Sequence, residues 1–116
     1  MIVSAPKSSI KSGDDGVISC VVKAHDVGTG IKWFKGDLTT ALVSDDSSYT
    51  ILTTLATSFE ADGKTKQSVS ILTILNFDAD DVAPYFCRVD YNDPVLDDQS
   101  TDQALEILGK YCYEYH

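Results

Sequence analysis

Histidine and arginine are nearly missing from this chain, and each shortage removes a class of function. The two histidines are His25, in a polar glycine-containing loop, and His116, at the chain end. A Ser-His-Asp or Cys-His site needs an imidazole held in place by a packed core. Neither position provides one, so no enzyme activity is expected. Arg88 is the single arginine, and nine basic residues in all stand against 18 acids, for a formal net charge of −9. The long-range field of such a chain repels phosphate backbones and anionic lipid, so nucleic acid is not the expected partner. No apolar run approaches the roughly 18 residues of a membrane span, and no charged, apolar, small-residue leader opens the chain. Met1 directly ahead of Ile2-Val3-Ser4 reads as a start codon placed on a mature or excised segment. Membrane attachment is then expected only through segments outside this sequence. Asn76 and Asn92 begin no N-x-S/T sequon, so no N-glycan shields a face. Neither an internal repeat nor a low-complexity tract is found, and nothing calls for a cofactor.

What is present is the composition of one globular domain: 43% hydrophobic and 23% charged residues over 116 positions, enough chain to bury about two-thirds of its unfolded surface. The acids fall in scattered pairs, Asp14-Asp15, Asp45-Asp46, Asp80-Asp81 and Asp97-Asp98, and read as solvated turn residues because no run of about five like charges forms. Period-two patterning places strands over Val17–Val22, with Ile18, Cys20 and Val22 on one face, and over 31–35, with Ile31 and Trp33 on one face. Ala41-Leu42-Val43 and Tyr49-Thr50-Ile51-Leu52 suit two short strands. Asp62-Gly63 is a two-residue hairpin signal between Thr57-Ser58-Phe59 and 66–75. Strands follow over 84–90 and 104–108. The domain is expected to span 1–109, with 110–116 as a tail or linker.

The segment Asp81-Val82-Ala83-Pro84-Tyr85-Phe86-Cys87 has the form D-x-A-x-Y-x-C. Upstream lie Cys20, Trp33 at 13 residues beyond it, and the alternation Leu72-Thr73-Ile74. Together these resemble the signature of the immunoglobulin superfamily, over nearly the whole chain from Gly13 to Gly109. The resemblance implies an all-β, two-sheet antiparallel Greek-key sandwich in which Tyr85 forms a tyrosine corner and Trp33 packs over a disulfide. It pairs Cys20 with Cys87; a reduced domain with two buried thiols is the alternative left open. The 67-residue step between them leaves room for the C′ and C″ strands of a variable-type (V-set) domain. The last strand, 104–108 (strand G of such domains), is led by Ser100-Thr101-Asp102-Gln103 in place of an F-G-x-G bulge, which points away from a rearranging antigen receptor and toward an adhesion, recognition or innate receptor domain. Many V domains pair the corner aspartate with an arginine at the start of strand D, here the strand before Asp62-Gly63; with Arg88 the only arginine, Asp81 falls to backbone amides or to a lysine such as Lys64.

With Trp33, Tyr85 and Cys87 facing inward, Phe34 and Phe86 are expected to face outward on the strands over 31–35 (strand C) and 84–90 (strand F), which the resemblance makes neighbours, flanked by Lys32 and Arg88. In V-set domains this GFCC′ face commonly binds a partner or a second copy, and an aromatic centre with a charged rim suits a hot spot. The alternative is that the phenylalanines are covered by the domain's own C′ strand or FG loop. Tyr91, Asp93, Asp97 and Asp98 are candidate loop contacts for a basic partner surface. Asp90 with the same three aspartates could offer oxygen ligands to calcium, but EF-hand spacing is missing and solvated acids are the better reading. Cys112 and His116 are two ligands, not a metal site. Cys112 is also a candidate intermolecular thiol. The expected function is an extracellular or cell-surface recognition or adhesion module binding another protein, an Ig-type domain or itself, through the GFCC′ face. Two alternatives are an innate immune or secreted pattern-binding domain using its end loops, 23–30 and 91–102, and a spacer domain with no ligand.

Overall fold

The computed structural model describes residues 2–4, 10–11, 13–27, 30–45, 47–81, 83–91, 102–108 and 113–114, and side chains within 13–27, 30–45, 47–81 and 83–91. The fold is all-β. Its strands are β1 (Ile2–Ser4), β2 (Ile10–Lys11), β3 (Gly16–Ala24), β4 (Gly30–Lys35), β5 (Tyr49–Thr54), β6 (Lys66–Ile74), β7 (Tyr85–Asp90), β8 (Asp102–Leu108) and β9 (Tyr113–Glu114), with one 3-10 turn at Ala79–Asp81. Two antiparallel sheets form, in the orders β1-β3-β6-β5 and β4-β7-β8, and β2 pairs with β9 in parallel. This arrangement is compatible with an immunoglobulin-like sandwich.

Alternation is the reason these segments face one another. Burial along β3 and β6 switches at every residue, with Ile18, Cys20, Val22, Ser70, Leu72 and Ile74 inward. From the other sheet, Trp33, Tyr85, Cys87 and Val89 meet them, each 0% exposed. A disulfide joins Cys20 to Cys87. The Tyr85 hydroxyl donates to the Asp81 carbonyl at 2.7 Å, closing the tyrosine corner. Asp81 itself accepts the Asp78 N–H at 3.1 Å and lies 3.7 Å from Lys35 Nζ. Backbone amide and lysine both contribute, but the lysine is Lys35 of β4.

Ser70 is a tie between the sheets that no sequence pattern marks. Trp33 Nε1 donates to Ser70 Oγ at 2.8 Å, and Thr53 Oγ1 lies 2.8 Å from the same oxygen. A buried indole N–H needs such a partner. Ser70→Ala is therefore expected to destabilise the domain by about 2 kcal/mol through the unsatisfied donor, read as a lowered urea midpoint. An unchanged midpoint would show that the indole N–H finds another acceptor.

Between β4 and β6 the chain departs from expectation. Ala41 makes only an isolated bridge to Phe34, and Leu42 N–H donates to the Trp33 carbonyl at 2.8 Å. Three residues on, Ser44 Oγ accepts the Ile51 N–H at 2.7 Å, and Asp45 N–H donates to the Tyr49 carbonyl at 3.0 Å. Residues 41–45 thus run from the edge of one sheet to the edge of the other instead of forming the first of two added strands. The second, Tyr49–Thr54, does form, but it pairs with β6. The turn at Asp62-Gly63 also forms, with Gly63 at φ +68° and its N–H on the Glu60 carbonyl. The strand entering it ends at Thr54 rather than running through Thr57–Phe59, so the link is long. The Asp62 carboxylate accepts the N–H groups of Lys64 and Thr65, and Asp45 accepts those of Ser47, Ser48 and Tyr49. These backbone donors hold both acids below the usual carboxylate range. The acids of these turns build them as well as solvate them.

Candidate functional site

Strands β4 and β7 set the candidate face by register. Phe34 stands opposite Phe86, and Lys32 opposite Arg88. Two cations directly opposed on one face repel, and Asp90, two residues beyond Arg88, offsets this. Lys32 Nζ lies 3.4 Å from Asp90 Oδ2, and Arg88 Nε lies 3.7 Å from Asp90 Oδ1. The trio is partly exposed, so its value lies in fixing the orientation of the two bases more than in stability. Asp90, expected as a solvated acid with calcium ligation the lesser alternative, is here the counter-ion of the basic pair. The signal was the opposed bases with an acid at the next position on the same side.

Phe34 corrects an expectation. It is 3% exposed, although it lies outside the central core cluster that holds Trp33. Two successive buried residues, Trp33 and Phe34, interrupt the in-out alternation of β4, so both sides of the strand are covered at that point. Phe86 flanks the ring across the β7 pairing and Ala41 across the bridge. Phe86 is half-buried. The accessible part of the face is therefore Phe86, Lys32, Arg88 and Asp90, with Phe34 as support. Tyr91 needs the same correction: at 4% exposed it belongs to the core cluster and is not a loop contact. Trp33, Leu72 and Tyr85 are in the core, and Asp81 is half-buried beside it.

No protein-family model matches the chain, and no curated protein is a significant match.

Asp93, Asp97, Asp98, Cys112 and His116 lie outside the described residues. Among the described residues, no group of three His, Cys, Asp or Glu side chains could hold a metal ion. No described helix is long and apolar enough to cross a membrane. At the end of the sandwich where Ala24 pairs with Lys66, the His25 ring stacks on Phe59 with centroids 5.4 Å apart. Lys66 Nζ lies 4.8 Å from the centre of the Phe59 ring. A cavity of about 100 Å³ adjoins them, lined by Val27, Leu55 and Ser68 among others. That volume is well below the ~300 Å³ at which ordinary small-molecule sites begin.

Proposed function

We propose that this chain is a non-catalytic recognition or adhesion module of the immunoglobulin-like kind, working outside the cell or at its surface. Its partner is another protein, an Ig-type domain in the first instance, and the contact surface is the outer side of β4 and β7. The observation that carries this reading is the placement of Phe86 beside two bases that one carboxylate orients, Lys32 and Arg88 on Asp90. A half-buried aromatic with a fixed charged rim is the makeup of an interface hot spot. The disulfide supports an oxidising compartment. Within the Ig-like kind, the reading is a variable-type frame whose first added strand is reduced to the Ala41 bridge and the 41–45 crossing.

Changing Phe86 to Ser together with Arg88 to Ala tests it. With the domain displayed on beads against beads carrying a panel of Ig-type domains, the double variant should weaken capture roughly tenfold or more while remaining folded by circular dichroism. End-loop recognition is the second reading, favoured by the His25–Phe59–Lys66 cluster. Capture that survives the Phe86/Arg88 change but is lost in Phe59→Ala would move the function to that end.

A further inference from the structure

Lys66 opens β6 with the parity of Ser68, Ser70, Leu72 and Ile74, so its stem starts on the inner side of the sheet, opposite Ala24. That inner side is apolar at Leu72 and Ile74 and turns polar toward Lys66. Trp33 accounts for Ser70. Ser68 is 2% exposed and its Oγ accepts the Ala56 N–H at 3.1 Å, but among the described residues no acceptor takes its own proton. Lys66 is unusual in a second way. The chain holds 18 acids, yet among the described residues none forms an ion pair with this half-buried lysine. Its Nζ lies instead over the Phe59 ring, on which His25 also stacks. A ring face holds an ammonium in place without neutralising it. Both donors border the cavity of about 100 Å³ at this end of the sandwich, whose apolar walls include Ala24, Val27 and Leu55.

We propose that this cavity binds a short aliphatic carboxylate. Its oxygens accept from Lys66 Nζ and Ser68 Oγ, and its one or two methylenes lie against Ala24, Val27 and Leu55. The donors select the head group. An ammonium and a hydroxyl that both still need an acceptor are matched by a carboxylate, through charge-assisted hydrogen bonds. A cation is repelled by Lys66, and a purely apolar group would leave the buried Ser68 proton unsatisfied. Volume selects the length. At about 30 Å³ per water the space holds three or four waters, which a carboxyl group with one or two methylenes replaces. Propionate has that size, and so does the end of a glutamate side chain. The same chemistry therefore comes from a free small acid or from a glutamate on a partner protein. Asp26, also on the lining, opposes an anion and sets an upper limit on the affinity.

The proposal does not rest on the β4–β7 reading, and its test involves no second protein, so failure of either leaves the other standing. The full chain, labelled with nitrogen-15, is titrated with sodium propionate exchanged for sodium chloride at a fixed total of about 100 mM, which holds screening constant. The amide signals of Ala56 and Ser68 should shift and saturate, with a millimolar dissociation constant suited to so small a ligand. Propionamide, of the same shape but uncharged, should bind roughly tenfold or more weakly. Lys66→Met keeps an apolar stem over Phe59 and removes the charge; it should also weaken propionate roughly tenfold or more, and Lys66→Arg should retain it. Melting temperatures check that each variant is folded. Asp26→Asn should tighten binding several-fold, a test that leaves Lys66 untouched. Glutamate blocked at both ends separates the sources: binding at least equal to propionate assigns the site to a protein side chain, and its exclusion while propionate binds assigns it to a free acid. Shifts that never saturate would overturn the proposal. So would equal binding of propionamide, or a folded Lys66→Met variant that binds propionate as the wild type does.

Discussion

Replacing Cys20 and Cys87 together with alanine is expected to remove about 4 kcal/mol of stability, the chain-entropy value for releasing so long a closed loop. The two cysteines are 67 residues apart and join β3 of one sheet to β7 of the other. Without the bridge, the unfolded chain regains the freedom to separate its two halves. Both residues are fully buried beside Trp33, so alanine also leaves unfilled space at the centre of the core. A domain of this size has about 5–15 kcal/mol of net stability, and the bridge is therefore a large share of it. In urea melts, the double variant and the reduced wild type should both unfold at a much lower midpoint. Coincident curves for oxidised and reduced protein would show that the bridge is dispensable. A thiol count in denaturant before and after reduction gives an independent check, since reduction should release the two sulfurs at residues 20 and 87.

Residues whose role is set by chain-local geometry could be read from sequence. Cys20, Trp33, Tyr85 and Cys87 each occupy an inward position on an alternating strand, and alternation needs only the strand's own residues to be seen. The tyrosine corner is implied by the family resemblance of the D-x-A-x-Y-x-C segment, whose partners are also close in sequence, since Tyr85 reaches only to Asp81. What was missed depends on residues distant in sequence. Ser70 is an inward position that looks unremarkable until Trp33, 37 residues away, is placed over it. Lys35 meets Asp81 because the end of β4 pairs with the start of β7, just beyond the turn that holds Asp81. The 41–45 crossing could not be told from a strand, because its residues have strand composition but hydrogen-bond two different edges in turn. The same limit applies to the outer side of β3, β6 and β5: Val17, Ile71 and Leu52 each stand next to an inward apolar residue of their own strand, Ile18, Leu72 and Ile51, and only the register assembles them into one surface.

Phe34→Ala is the change that separates support from contact on the β4–β7 face, and it should lower stability by about 3 kcal/mol. Parity alone would send this ring into solvent, and a solvent-facing phenylalanine could be removed with little effect on folding. Its surroundings in the structure say otherwise: it is 3% exposed, with Phe86 opposite on β7 and Ala41 bridged on the other side. The end of β4 is also anchored, by Lys35 Nζ on the Asp80 carbonyl at 2.8 Å and the Gly36 N–H on the Pro84 carbonyl at 2.8 Å. The strand cannot shift readily to fill the space, which puts the loss toward the range of a true core truncation. Phe86→Ser, at a half-buried position, should lose only about 1 kcal/mol. Thermal melts would show the difference as a fall of roughly 10–20 °C for Phe34→Ala against a few degrees for Phe86→Ser. If the two melt alike near the wild type, Phe34 is accessible in solution and belongs with Phe86 in the contact surface. If they separate as expected, any loss of binding in a Phe34 variant reflects unfolding, and Phe86 with Arg88 is the pair on which recognition must be judged.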